Sequence, residues 1–409
     1  MEKDMKYPAM QLSDKVSAIP EALSVYMNNI VYAMKRRGDK IKVLSLGEAF
    51  FDIPMFSFDN IDFKKGYHYS ESRGMPELRK VIADYYAEKY SAPINPNDEI
   101  IVSAGSKPLI YMAFQAVLNP GDEVLIPEPA WLSYPEEIKL ADGVPKFIPY
   151  DCPVDEFGKY FTDKTRMIII CNPNNPAGRM YTKAEMERLY SICRPKGIYI
   201  MADEAYSDFV IDGNFTSMVN VVPDKDGIIV VNSLSKNLGI SGWRLCYAIA
   251  SQKVIYNILK LNQHLITCPA TLLSMYVAHY FKDIISVTLP QAEAVVKKRA
   301  EVVDFMNEIG LKPLEGSATF YIFVNIGDCR KSSMDLGLYL LMKYGISVVP
   351  GTAYGQSTER FIRIGVGAES METIKDCLKT VKRVIDSNEY DDSFVESELK
   401  SLGFNRFVQ

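Results

Sequence analysis

Residues 228–247 read Ile-Ile-Val-Val-Asn-Ser-Leu-Ser-Lys-Asn-Leu-Gly-Ile-Ser-Gly-Trp-Arg-Leu-Cys-Tyr. The apolar, β-branched run Ile228–Val231 stops abruptly in Asn232-Ser233-Leu234-Ser235-Lys236. Such a run predicts a buried strand, and the small polar residues after it put Lys236 on a loop at the strand's carboxyl end. Open α/β sheets bind their ligands at that edge. Ser233 and Ser235 before the lysine, and Arg244 after it, are residue types that hold a phosphate and leave the lysine free for chemistry.

The flanking sequence has the same grammar. From Glu99 onward β and α patterns alternate with short connections, predicting an α/β fold with a largely parallel, doubly wound sheet. Strand Glu99–Ser103 enters a helix through Gly105-Ser106-Lys107, where successive N–H groups at a helix start form a phosphate cradle. Strand Glu123–Ile126 leaves the sheet toward Trp131. Strand Arg166–Cys171 runs into Asn172-Pro173-Asn174-Asn175-Pro176-Ala177-Gly178, and Thr182 with Glu185 then forms a capping box. Strand Ile198–Ala202 ends in Asp203-Glu204-Ala205-Tyr206. After Ala250 helical patterns dominate to about Met306, interrupted at Thr267–Ala270. Phe320–Val324 and Ile346–Val349 are predicted strands of a smaller α+β domain that starts near Gln291.

Composition narrows the function classes. With 409 residues, 48% of them hydrophobic, the chain can build two sizeable cores. A net charge of −5 with interspersed signs argues against nucleic acid as a partner. Apolar runs are strand-length, short of the roughly 18 residues that a membrane span needs. The opening MEKDMKYPAM has no signal-peptide character, and seven scattered cysteines without a CxxC suit a reducing cytoplasm. Only three histidines occur, which makes a histidine-rich metal site improbable, and no metal is expected.

Ser233-x-x-Lys236 with Gly242-x-Arg244, and the strand-end motifs upstream, resemble the pyridoxal-phosphate aminotransferases of fold type I, class I/II, over about Val16–Ile385. The resemblance implies a large cofactor domain whose mostly parallel sheet of seven strands lies between helices, plus a smaller α+β domain. It implies that Lys236 forms the internal aldimine and shuttles the α-proton, in a ping-pong transfer of an amino group from an L-amino acid to a 2-oxo acid. Gly105, Ser106, Lys107, Ser233, Ser235 and Arg244 fall at the phosphate end. Trp131 stacks on the pyridine ring, Asn175 and Tyr206 reach the phenolic oxygen, and Asp203 pairs with the ring nitrogen. Arg363, in Arg360-Phe361-Ile362-Arg363-Ile364, takes the substrate α-carboxylate with Asn175 and Gly47, while Arg360 is read as solvated. Tyr69, in Tyr69-Ser70-Glu71-Ser72-Arg73-Gly74, belongs to a segment whose tyrosine reaches the neighbouring subunit's phosphate, which implies a homodimer. Gly47-Glu48 keeps the start of a family motif and loses its Pro-Asp.

The expected units are an N-terminal segment 1–45 packing with the small domain, a large domain 46–290, a small domain 291–386 and an acidic tail 387–409 without a role. Lyases and aminocyclopropane-carboxylate synthases share the cofactor residues, so the same motifs serve those reactions. An effector-binding regulator on this fold is disfavoured because the first 45 residues leave no room for the DNA-binding domain such regulators usually carry, and a silent scaffold because Asp203, Lys236, Arg244 and Arg363 are all present. Lys107 occupies a position that, in some aspartate-type relatives, binds the side-chain carboxylate of the substrate. With Glu21 placed beside it, the expected substrate side chain is neutral polar, aromatic or cationic.

Overall fold

The computed structural model describes residues 10–327 and 329–407. Its centre is a seven-stranded mixed sheet in the order Ile100–Ser103, Cys246–Ala250, Ile228–Ser233, Tyr199–Asp203, Thr165–Cys171, Glu123–Pro127, Val144–Ile148. Neighbours pair in parallel except Cys246–Ala250, which runs antiparallel to both of its partners. The alternation of a strand explains why Ile228–Val231 is apolar at every position. Ile228 and Val230 enter the core on one face with Leu78 and Tyr276. Ile229 and Val231 enter the core on the other with Leu109 and Ile255. Helices therefore cover both faces, and the polar ends of the strands are the places left for ligands.

The helix Thr271–Glu308 runs on from the large core into the smaller one, with Pro290 inside it. The smaller unit carries a four-stranded sheet in the order Val349–Pro350, Phe361–Gly365, Tyr321–Asn325, Lys312–Pro313, antiparallel throughout. The single strand expected over Ile346–Val349 is broken. Ile346–Ser347 instead pairs in parallel with Lys42–Val43, and only Val349–Pro350 joins the four-stranded sheet. The chain changes sheets at Val348.

The helix Leu23–Arg37 buries Leu23, Tyr26, Met27, Ile30, Val31 and Met34 along one face, and they enter the core of the smaller unit. The tail is ordered against the body. Asp392–Ser401 is a helix that buries Val395 and Leu399 in that same core. Beyond it, Phe404 and Phe407 pack on Tyr26, whose hydroxyl donates to the Asn405 carbonyl at 2.7 Å. No helix among the described residues is long and apolar enough to cross a membrane.

Candidate active site

The carboxyl ends of four strands of the large sheet surround one cavity of about 280 Å³. Ser233, Ser235 and Lys236 reach it from strand Ile228–Ser233, and Asp203 and Tyr206 from Tyr199–Asp203. Asn175 reaches it from the loop after Thr165–Cys171, and Ser106 and Lys107 from the helix after Ile100–Ser103. Gly47, Trp131, Arg244 and Arg363 complete the predicted residues that line it. Tyr69 stands apart, 85% exposed on the loop before helix Pro76–Tyr90.

One end of the cavity suits an anion. Gly105 has φ +98°, and a Cβ there would lie 2.4 Å from Arg244 Nη2, so the guanidinium rests against the start of the helix Ser106–Val117. Only glycine permits both that backbone and that approach. Arg244 is itself left-handed, with φ 57°, and its Nη1 donates to the Ser241 carbonyl at 2.8 Å. The Ser233 hydroxyl accepts from the Ser235 N–H at 3.3 Å, which fixes the hydroxyl beside the lysine turn.

Lys236 is half-buried and donates from Nζ to the Gly47 carbonyl. Desolvation lowers its pKa to about 8; the Glu48 carboxylate opposes the shift, while the charges of Arg363 and Arg244 add to it. About a tenth of the amine is thus neutral, and nucleophilic, at pH 7, far more than for a solvated lysine. Its Nζ lies 6.0 Å from the centre of the Tyr206 ring.

Asp203 is buried, and burial raises its pKa. Two hydrogen bonds favour its ionised form: the Tyr134 hydroxyl donates to Oδ2 at 2.6 Å and the Ala205 N–H to Oδ1 at 3.1 Å. Desolvation holds Tyr206 in its neutral form, with its hydroxyl 3.0 Å from that of Tyr321. Trp131 meets Tyr134 edge to face, with ring centres 5.2 Å apart.

Arg363 is 4% exposed and incompletely satisfied. Nη1 donates to Asn175 Oδ1 at 3.2 Å and Nη2 to the Ser45 carbonyl at 2.6 Å, while Nε has no partner among the described residues. Its Cζ lies 4.3 Å from the Tyr321 ring centre and 5.4 Å from that of Tyr354. A buried guanidinium flanked by aromatic faces and left with spare donors is matched to a carboxylate.

Several contributors lack a local signal in the sequence. Tyr134 orients Asp203, and Tyr321 lies between Tyr206 and Arg363. Arg299, 2% exposed, donates to the carbonyls of Tyr321, Gly316 and Ala177, bracing the Asn175 loop against the smaller sheet. Two expectations need correction. Arg360 is only partly solvated: its guanidinium also donates to the carbonyls of Gly327, Cys329 and Lys331. Glu21 does not claim Lys107; its Oε1 accepts from Asn29 at 3.3 Å. The carboxyl whose charge acts with that of Lys107 is Glu137, and Lys107 Nζ lies 5.2 Å from the Trp131 ring centre.

Comparison with known proteins places this geometry among relatives. The family model described as aminotransferase class I and II matches residues 52–381. An aspartate aminotransferase of Pyrococcus abyssi is 30% identical over 389 residues, covering 92% of this chain and 98% of its own. An aromatic-amino-acid aminotransferase of Thermococcus litoralis is 30% identical over 359 residues, covering 84% and 91%. The solved aspartate aminotransferase of Thermus thermophilus with maleate superposes with a TM-score of 0.82 at 25% identity, covering 92% of this chain and all of that one.

Proposed function

Because the chain belongs to the class I and II aminotransferases, we propose that its cavity divides the labour of amino transfer among the residues described above. The protein is a pyridoxal-phosphate-dependent enzyme that moves an amino group from an L-amino acid to a 2-oxo acid. The donor set fits that cofactor. The helix start at Ser106, with Ser233, Ser235 and Arg244, would take the phosphate, Asp203 the ring nitrogen, Tyr206 and Asn175 the phenolic oxygen, and Lys236 the aldehyde carbon. When bound, pyridoxal phosphate supplies a carbonyl that takes up the amino group and a ring that withdraws electrons from the α-carbon.

The chain's own residues do the rest. Arg363 grips the α-carboxylate through its spare donors, and Tyr321 and Tyr354 shield that pair from water. Lys236 Nζ takes the proton from the α-carbon and returns it to the carbon on the far side of the transferred nitrogen, two bonds away, a task suited to a base whose pKa lies near the working pH. The observation that carries the assignment is the convergence of Lys236, Asp203 and Arg363 on one cavity from three separate segments. To test it, cofactor-loaded protein is mixed with a single amino acid and no oxo acid. Release of one equivalent of oxo acid followed by arrest is expected; continued turnover would assign a lyase or synthase instead.

Replacing Arg363 with lysine keeps the charge and loses the fork. Hydrogen bonds to charged groups contribute about 1.5–3 kcal/mol each, so KM for the amino donor should rise about 10- to 100-fold with the cofactor's visible band retained. A KM within about twofold of the parent's would remove Arg363 from the carboxylate site.

The enzyme is also proposed to act as a homodimer. Tyr69 and Tyr67, 85% and 77% exposed, stand with exposed Met55 and Phe63 outside the cavity, consistent with a surface that a second copy covers. Sedimentation at micromolar concentration should give twice the 46.2 kDa chain mass, and Tyr69→Phe should weaken cofactor retention. A monomer that retains full activity would overturn this.

A further inference from the structure

Tyr206 and Tyr321 line the same cavity from different units: Tyr206 from the turn after strand Tyr199–Asp203, Tyr321 from the four-stranded sheet. Their hydroxyls lie 3.0 Å apart, and neither has another hydrogen-bond partner among the described residues. Each phenol carries one proton, so one proton lies between the two oxygens and the other is free to point elsewhere. The backbone of Tyr321 is fixed on both sides. Its N–H donates to Thr319 Oγ1 at 3.1 Å, and Arg299 Nε donates to its carbonyl at 2.7 Å. Which phenol donates is decided by the surroundings. Arg363 Cζ lies 4.3 Å from the centre of the Tyr321 ring, and a cation there makes that hydroxyl the stronger donor. Burial pushes both phenols toward their neutral forms. At Tyr321 the Arg363 charge is the main force against burial, whereas at Tyr206 it is weaker than the influence of the neighbouring phenol. Glu48 and Cys171 act on Tyr321 in the opposite sense to Arg363, and Lys236 Nζ stands 6.0 Å from the centre of the Tyr206 ring.

We propose that Tyr321 is a positioning residue for the cofactor: its hydroxyl donates to the Tyr206 oxygen, so that the Tyr206 proton faces the cofactor's phenolic oxygen. The proposal rests on the aminotransferase assignment and deepens it. In the reverse order Tyr206 would spend its only proton on Tyr321 and meet the phenolic oxygen with a lone pair. Hydrogen bonds in a chain polarise one another, so donation from Tyr321 also makes Tyr206 the stronger donor. The small unit thereby sets the protonation of a group held by the large one, through a single contact between hydroxyls. Arg363 acts at both ends of this arrangement, on the substrate carboxylate through its donors and on the phenol pair through the Tyr321 ring.

The test reads the pH midpoint of the visible band of protein loaded with pyridoxal phosphate, with no substrate and no turnover. A donor that stabilises negative charge on the phenolic oxygen lowers the pKa of a proton shared with that oxygen. Tyr206→Phe should therefore raise the midpoint by about one to two pH units, the effect of one hydrogen bond to a charged group. Tyr321→Phe, which keeps the ring against Arg363, should raise it by about half a unit to one unit. In the Tyr206→Phe background the same substitution should move the midpoint by less than about 0.2 unit, because its effect passes through Tyr206. Loosened packing would instead shift both backgrounds alike. 3-Fluorotyrosine in place of Tyr321 is a stronger donor of nearly the same size and should lower the midpoint; it is read alone if Tyr321→Phe does not fold. A midpoint that stays or falls in Tyr321→Phe, an equal shift in both backgrounds, or no fall with the fluorinated residue overturns the proposal. Absence of a visible band in the parent with excess pyridoxal phosphate would sink the aminotransferase assignment, and this inference with it.

Discussion

Lys236→Ala should abolish amino transfer, with kcat/KM falling by at least about 10⁴-fold, because one substitution removes both the nucleophile that anchors the cofactor and the base that moves the α-proton. Noncovalent cofactor binding should survive in part, since Ser106, Ser233 and Arg244 are untouched. The depressed lysine pKa gives a second readout that does not depend on turnover. The reacting species is the neutral amine, and desolvation brings its pKa to about 8. Covalent capture of pyridoxal phosphate by the cofactor-free parent should accelerate about tenfold per pH unit below that value and level off above it. The sign follows from the direction of the shift, since a pKa lowered by burial moves the onset of reactivity down toward neutrality. A plateau reached only above pH 10 would show that Lys236 is solvated like a surface lysine. A variant that keeps about a tenth of the parent's activity would place the proton transfer elsewhere.

Asp203→Asn should lower kcat by about 10²–10³-fold, the usual cost of removing one preorganised electrostatic contact from a buried site. The substitution tests charge more than shape. A tyrosine hydroxyl accepts as well as donates, so the amide can keep both the Tyr134 and Ala205 contacts. What disappears is the negative charge that would hold a proton on the ring nitrogen. Loss should therefore appear in the single-turnover rate with an amino acid, with little change in melting temperature and a smaller change in cofactor affinity. Asp203→Glu, which restores the charge at a displaced position, should recover part of the rate. A rate within about threefold of the parent's would mean that the ring nitrogen works without a counter-charge.

The readable part of this protein lies at strand ends. Ile228–Val231 is apolar at every position because both faces of its strand are covered, and such a run is a one-dimensional signal. Residues just beyond such strands must lie at the carboxyl edge of the sheet, so Lys236, Asp203, Asn175 and Ser106 were drawn into one cavity by chain order and local backbone geometry alone. The Thr182–Glu185 capping box is local in the same way, and it forms as the spacing requires.

Contacts between distant segments were not readable. Arg299 braces Ala177 across 122 residues, and nothing near either one announces it. Arg360 resembles a surface arginine in sequence, yet three carbonyls of one loop converge on its guanidinium. The family resemblance suggested Glu21 as the carboxyl beside Lys107, whereas Glu21 bonds Asn29 and the carboxyl that feels the charge of Lys107 is Glu137. Whether the acidic tail extends or docks was not decided by its own amphipathic stretch, because its attachment rests on Tyr26, more than 370 residues away in the chain. The sequence alone determined the fold class, the family and the loops that carry reactive groups, since hydrophobic period and strand-end motifs are set by neighbours in the chain. The tertiary structure alone decided which buried charges remain unpaired and which distant hydroxyls meet, since desolvation and contact depend on every segment that packs around a group.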